Sequence, residues 1–276
     1  MSKGITFVTH LRYDNKDRLK NLQTILNYYS INFPESKFIL VEDDREHNIN
    51  FNSINWPKKR TQYYFIANEG YYYRTRALNY GILKATTPIV VSLDTDCIVP
   101  VESLKKCVEA LFDDYTIAWP YNGFFIDTSH QLHKLFIDSN YSFEALKSLL
   151  PPVNTLQLSH GYAEGNFSIR CTNTIHQSVG GIVMFNRERF LEIGGYNEKF
   201  IAWGAEDNEL CTRVKILEHK SFRDNDIDSV CFHLFHNNAI RNNHPYYQSN
   251  FDEAAHTGAM TKEELITYIK TWQHLK

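Results

Sequence analysis

Two hydrophobic periodicities alternate along the first 120 residues. Short apolar runs, "GITFVT" (4–9), "KFILVE" (37–42), "YYFIAN" (63–68) and "PIVVSL" (88–93), have the length of buried strands. Between them, apolar residues return at helical spacing. Leu22, Ile25, Leu26 and Tyr29 mark one helix face, Leu78, Ile82 and Ala85 a second, and Leu104, Cys107, Val108 and Leu111 a third. "TIAWP" (116–120) closes this half. Strands alternating with helices of this length predict βαβ units and an α/β fold with a mostly parallel sheet. Ligands of such sheets bind beyond the carboxyl ends of the strands. Asp43, Asp44, Asp94 and Asp96 all fall there.

The pattern then loosens. Residues 121–178 hold four histidines and the Pro151–Pro152 pair, and read as a loop-rich insertion with a short helix near 142–150. "GGIVMF" (180–185) resumes as a strand, followed by a short helix, "NRERFLEI", stopped by Gly194–Gly195. Leu210, Val214 and Leu217 predict a helix over 206–217, and "SVCFHLF" (229–235) a strand. Thr261 and Glu264 form a capping box that opens a last helix to about Trp272. No internal repeat or low-complexity tract interrupts the chain.

Composition narrows the function classes. The net charge is −3 and the nearest thing to a basic block is "PKKR" (57–60), so nucleic acid is not expected as a partner. The 17 tyrosines and 18 phenylalanines are compatible with stacking against sugar rings. Five cysteines at irregular spacing read as reduced thiols of a cytoplasmic protein. The start, "MSKGITFVTH", lacks the pattern of a signal peptide, and no apolar run reaches the ~18 residues of a membrane span. The expectation is a soluble protein, with membrane contact only peripheral, through a partner or a lipid-linked substrate.

Three clusters carry candidate chemistry. In Asp94-Thr95-Asp96, extended backbone would point both acids to one side. Their repulsion would be relieved by Mn²⁺ or Mg²⁺, which bridge carboxylates to phosphates; a solvated turn is the plainer alternative. Trp203-Gly204 precedes Glu206-Asp207 in the first turn of a predicted helix, where acids also simply complement the helix terminus. His233 and His236 stand where an imidazole could join a metal.

Together these segments resemble the GT-A glycosyltransferases over roughly residues 4–240. The likeness is to the group of the β-1,4-galactosyltransferases, bacterial chondroitin polymerases and polypeptide N-acetylgalactosaminyltransferases. "YYYRTRALNYGILKATTPIVVSLDTDCIVP" (71–100) is similar to the family's Arg-x-x-x-Leu-Asn-x-Gly helix and Asp-x-Asp strand. "GGIVMFNRERFLEIGGYNEKFIAWGAEDNEL" (180–210) is similar to its Gly-Gly strand and acceptor segment, and "HLFH" (233–236) to its late metal-histidine segment.

The resemblance implies one GT-A catalytic domain over 1–240, with a nucleotide-sugar half (1–120), an acceptor half (121–240) and a helical extension at 241–276. It implies that Thr9 and Arg12 border the nucleotide and that Asp43 or Asp44 contacts the uracil or ribose. Arg76 and Asn79 would lie near base and phosphates. Asp94 and Thr95 would hold ribose or sugar, and Asp96 with His233 or His236 would ligate Mn²⁺ or Mg²⁺. Trp203 and Gly204 would contact the sugars, and Asp207, beside Glu206, would be the base. The implied reaction is inverting transfer of a hexose or N-acetylhexosamine from a UDP-sugar to a saccharide or lipid-linked saccharide, by analogy in bacterial surface-polysaccharide assembly. The family's acidic run reads here Glu206-Asp207-Asn208-Glu209, and the acid at 207 favours inversion. A sugar-phosphate nucleotidyltransferase is the rival enzyme, but "THLRYDNKDR" lacks the Gly-rich phosphate loop. A non-catalytic sugar-binding protein is the other alternative.

Overall fold

A computed structural model describes residues 4–13, 15–50, 56–150, 163–172, 177–236 and 244–274. The first half runs β1 (Ile5–Leu11), α1 (Lys16–Asn32), β2 (Lys37–Asp44), β3 (Thr61–Ala67), α2 (Arg74–Lys84), β4 (Ile89–Leu93), β5 (Cys97–Ile98), α3 (Val101–Phe112) and β6 (Tyr115–Trp119). The second runs β7 (Phe125–Thr128), α4 (His130–Asp138), α5 (Phe143–Lys147), β8 (Ala163–Glu164), β9 (Phe167–Cys171), β10 (Ile182–Asn186), α6 (Arg187–Glu192), α7 (Glu206–Ile216), β11 (Lys220–Arg223), β12 (Cys231–His233), α8 (Tyr247–Gly258) and α9 (Lys262–Ile269).

The larger sheet has the order β11-β6-β10-β4-β1-β2-β3. It is largely parallel, as the alternating pattern predicts; only β10 runs against its neighbours β4 and β6. Its central strands β1, β2, β4 and β10 are buried along almost their whole length. Phe7 of β1 stacks on Tyr29 of α1 and on Phe38 of β2, tying the first βαβ unit together. Gly81 lets α2 settle onto the sheet, since a Cβ there would collide with Val8.

Several boundaries differ from expectation. β1 runs on to Leu11, two residues past its expected end at Thr9, and Asp43 and Asp44 are the last residues of β2. β12 spans only three of the seven residues expected, because the chain leaves the sheet at Leu234, whose N–H donates to the Asp96 carbonyl at 2.8 Å. Residues 121–178 hold more structure than a loop-rich insertion. β7, β8 and β9 join β5 and β12 in a second sheet of order β5-β12-β7-β9-β8, and α4 precedes the expected short helix. These strands are two to five residues long, too short for a period to register. Pro151–Pro152, His160 and His176 lie outside the described residues.

The last helices complete the core of the second half. Leu265 of α9 is buried, and Trp272 lies over the Arg213 guanidinium of α7 at 5.0 Å. The capping box at Thr261 and Glu264 forms with both its bonds. Among the described residues, no helix is long and apolar enough to cross a membrane.

Candidate active site

The backbone turns sharply at Asp94-Thr95-Asp96. β4 ends at Leu93, residues 95 and 96 form a turn, and β5 starts at Cys97. Of the two arrangements left open by the sequence, the backbone takes the turn, but Asp96 is buried in it rather than solvated, and the two acids engage different partners. Asp94 Oδ1 accepts from His10 Nε2 at 2.8 Å and Arg74 Nη2 at 3.2 Å. Asp96 Oδ2 accepts from Arg18 Nη1 at 3.0 Å and faces His236 Nε2 at 3.1 Å, while its Oδ1 lies 3.4 Å from His233 Nε2. Thr95 is buried between them. The repulsion expected between the acids is thus already answered by protein cations, Arg74 on one side and Arg18 on the other. Burial works against ionisation of both, yet Arg74 and His10 hold the Asp94 carboxyl down at about 2. His233, His236 and Arg18 hold Asp96 well below the usual carboxylate range in the same way.

Asp96, His233 and His236 are all buried, and their donor atoms converge. The two histidine Nε2 atoms are 3.3 Å apart. Two donors about 2.1 Å from one ion lie roughly 3.0–3.4 Å apart in octahedral or tetrahedral arrangement. The observed spacings match that, so the donor set fits a divalent cation. Both histidines contribute a nitrogen to this cluster. Asp127 Oδ1 lies 2.8 Å from His233 Nδ1, on the far side of the ring.

Asp207 lies in the first turn of α7. The loop before it is strained: Ala202 and Ala205 have φ of 62° and 67°, and Gly204 has 123°. Left-handed backbone costs a non-glycine residue about 1–2 kcal/mol, so surrounding bonds must impose it. Ala202 N donates to the Tyr72 carbonyl, and Gly204 N to Glu206 Oε2 at 3.0 Å. From α8, Asn250 brackets Ile201 through both its carbonyl and its N–H, and His244 Nε2 meets the Trp203 carbonyl at 2.8 Å. The result presents Trp203 45% exposed, its ring nearly parallel to that of Tyr247.

Arg74 Nη1 donates to Asp207 Oδ1 at 3.1 Å and approaches Glu206 Oε1 at 3.7 Å. One guanidinium therefore links the 94–96 turn to the acids of α7. The other Asp207 oxygen lies against Gly180, where a Cβ would collide with it. Burial pushes the Asp207 carboxyl up most; Arg74 pulls it down, and Glu206 and Asp94 push it up again, to about 7. A helix N-terminus favours an ionised acid, but here desolvation and the neighbouring anions outweigh it.

A third group lines the ends of β1 and β2. Asp43, fully buried, accepts from Arg12 and from Arg76. Arg12 also donates to the carbonyls of Asp43, Asn68 and Gly70. Asp44 caps the turn that follows, accepting from the backbone of Tyr13 and Arg45. Thr9 Oγ1 and Arg76 Nε are buried without a hydrogen-bond partner among the described residues. Asn79 lies apart: its amide donates to the Tyr196 carbonyl and Glu198 and accepts from Tyr196 N, fastening α2 to the 196–198 turn.

Sequence reasoning missed Arg74, His10, Arg18, Asp127 and Arg170. For Arg74 the signal was present, because the Arg-x-x-x-Leu-Asn-x-Gly pattern opens on it and not on Arg76. The other four come from separate strands and helices, and only the fold brings them together.

The glycosyl transferase family 2 profile matches residues 19–189, more than half of the chain, and the profile for the N-terminal domain of galactosyltransferase matches residues 164–237. A probable glycosyltransferase of Sulfolobus acidocaldarius is 25% identical over 182 residues, 64% of this chain and 35% of the relative. The chain thus spans about a third of that relative's length, 35%. The catalytic domain of Drosophila β1,4-galactosyltransferase 7, in complex with xylobiose, has a TM-score of 0.51 at 11% identity, over 99% of this chain and 82% of that one. A mutant of the same enzyme, in complex with manganese, UDP-Gal and xylobiose, has a TM-score of 0.45 at 12% identity, over 89% of this chain and 73% of that one. The first structural likeness shows the GT-A fold, and the profile that spans the Arg74 helix, the 94–96 turn and Gly180 shows the family: the chain belongs to glycosyl transferase family 2.

Proposed function

We propose that this chain is a metal-dependent, inverting glycosyltransferase that moves a hexose or N-acetylhexosamine, in the galactosyl or N-acetylgalactosaminyl class, from a UDP-sugar to a saccharide acceptor. The observation that carries the reading is the divergence of the two acids of one turn. Asp96 completes a three-donor set with His233 and His236, and Asp94 reaches Asp207 through Arg74. Asp96, His233 and His236 would hold Mn²⁺ or Mg²⁺, which would supply Lewis-acid neutralisation of charge on the departing diphosphate.

The chain's own residues then divide the work. Arg12, Asp43 and Arg76 form a polar wall for the nucleoside at the ends of β1 and β2. The exposed ring of Trp203 offers the acceptor sugar an apolar face. An acceptor hydroxyl attacks the anomeric carbon from the side opposite the diphosphate. The new C–O bond forms as the bond to the diphosphate breaks, with its electron pair leaving on UDP. The hydroxyl proton passes to Asp207, whose carboxyl near 7 suits a general base. Membership of a glycosyltransferase family weighs against the nucleotidyltransferase alternative.

The test is a panel of UDP-sugars with Mn²⁺ and saccharide acceptors, with UDP release measured and the product's anomeric configuration read by NMR. Acceptor-stimulated UDP release with inversion supports the proposal. Retention of configuration removes Asp207 as the base, and absence of UDP release across the panel leaves the sugar-binding alternative.

A further inference from the structure

The insertion at 121–178 supplies a pair of side chains to the Asp96 cluster. β7 lies parallel to β12 with Asp127 in register beside His233. Antiparallel β9 sets Ser168 opposite Asp127, with Arg170 two residues further on. His233 Nδ1 is 2.8 Å from Asp127 Oδ1 and 3.2 Å from Arg170 Nη2. Its Nε2 points the other way, to Asp96 and His236. Arg170 also holds Asp127, through Nε to Oδ2 at 3.1 Å and through Nη2.

A neutral imidazole carries one proton, and only its bare nitrogen can ligate a metal. A carboxylate only accepts and a guanidinium only donates. Asp127 and Arg170 therefore demand opposite things of Nδ1. Asp127 requires Nδ1–H, which leaves the Nε2 lone pair for a cation beside Asp96 and His236. Without a cation the Asp96 carboxylate also asks for a proton, on Nε2, but at 3.4 Å it is the farther of the two carboxylates, against 2.8 Å for Asp127. Arg170 would require a bare Nδ1, which puts the proton on Nε2 and closes that donor. The carboxylate contact is the shorter, it comes in register from the adjacent strand, and it also engages the rival guanidinium.

We propose that Asp127 is a positioning residue that holds His233 in the Nδ1–H tautomer against Arg170, keeping Nε2 available as a metal donor. Partners on the far ring nitrogen commonly fix a ligating histidine in this way. The inference rests on reading Asp96, His233 and His236 as a metal site. It also gives the insertion a task at the reaction centre.

The test uses full-length, metal-free protein labelled with ¹⁵N-histidine, at an alkaline pH where the ring is neutral. Long-range proton–nitrogen correlation should show His233 as Nδ1–H in the wild type. It should show Nε2–H in Asp127→Leu and Nδ1–H again in Asp127→Asn, whose amide oxygen still accepts. Mn²⁺ titration followed by electron paramagnetic resonance should give about 10- to 100-fold weaker binding in Asp127→Leu. Binding should be close to wild type in Asp127→Asn, with partial recovery in Asp127→Leu/Arg170→Met. An Nε2–H wild type, or Asp127→Leu that binds Mn²⁺ as tightly as wild type, overturns the proposal. Should Asp127→Leu fail to fold, Arg170→Met decides: unchanged tautomer and affinity support the proposal, and a switch to Nε2–H overturns it. A wild type with Nδ1–H that binds no Mn²⁺ overturns the metal reading, and the donor role with it, while leaving the tautomer assignment standing.

Discussion

Asp96 and Asp207 are the same residue type, one in the 94–96 turn and one at the start of α7, and their surroundings push them in opposite directions. Asp96 is buried among His233, His236 and Arg18, which hold its carboxyl well below the usual range. Asp207 sits beside Glu206 with Arg74 as its only close cation among the described residues, and rises to about 7. Burial raises both. The difference lies in how many positive or ligating partners each is given. In the proposed roles, a carboxylate that holds a cation must stay ionised, and one that takes a proton works best with a pKa near the working pH. Arg74, touching Asp94 and Asp207 together, links the turn to the helix.

The comparison can be broken most severely at the base. Asp207→Asn should lower transfer by about 10²–10⁴-fold in an acceptor-dependent UDP-release assay. Asp96→Asn should abolish detectable Mn²⁺ binding, a larger loss than the roughly 10- to 100-fold expected for Asp127→Leu; a metal titration checks it. Gly180→Ala adds a Cβ where Asp207 Oδ2 lies. Displacing the base in this way should cost about 10²-fold in kcat while Mn²⁺ binding, measured in parallel, stays unchanged.

The next effect is on pH dependence. Asp207 must be ionised to accept a proton, so kcat/KM should rise with pH through about 7 and level off above it. Glu206→Gln removes a neighbouring negative charge, eases ionisation and should move this limb to lower pH. Arg74→Met removes a positive charge and should move it to higher pH. The smallest effect should come from Asn250→Ala, which unfastens the Trp203 loop from α8. It should lower stability by about 1–3 kcal/mol in a denaturant titration and raise the acceptor KM more than the donor KM.

The parts of the fold legible in sequence were those with a long, unbroken period. The first four strands and their helices announced themselves through runs such as Ile89–Leu93 and repeats such as Leu22 to Tyr29. The second sheet did not, because β7 and β8 are four and two residues long, and pairing rather than periodicity defines them. The same holds for the site. Asp94, Asp96, Glu206 and Asp207 stand in compact motifs, and the structure bridges Asp94 to both acids of α7 through Arg74. Arg18 meets Asp96 across 78 positions and Arg170 meets His233 across 63, distances at which a single sequence carries no pairing signal. At 94–96 the sequence left an extended strand end and a turn both open, because the apolar run stops at Leu93 and carries no period beyond it.

The division of labour is tested most directly by calorimetry of UDP binding, with Mn²⁺ and with EDTA, to the wild type, Asp96→Asn and Asp207→Asn. The account predicts metal-dependent binding to the wild type, loss of it in Asp96→Asn, and wild-type binding in Asp207→Asn. Equal binding in EDTA, or binding that survives at Asp96→Asn and fails at Asp207→Asn, would contradict it.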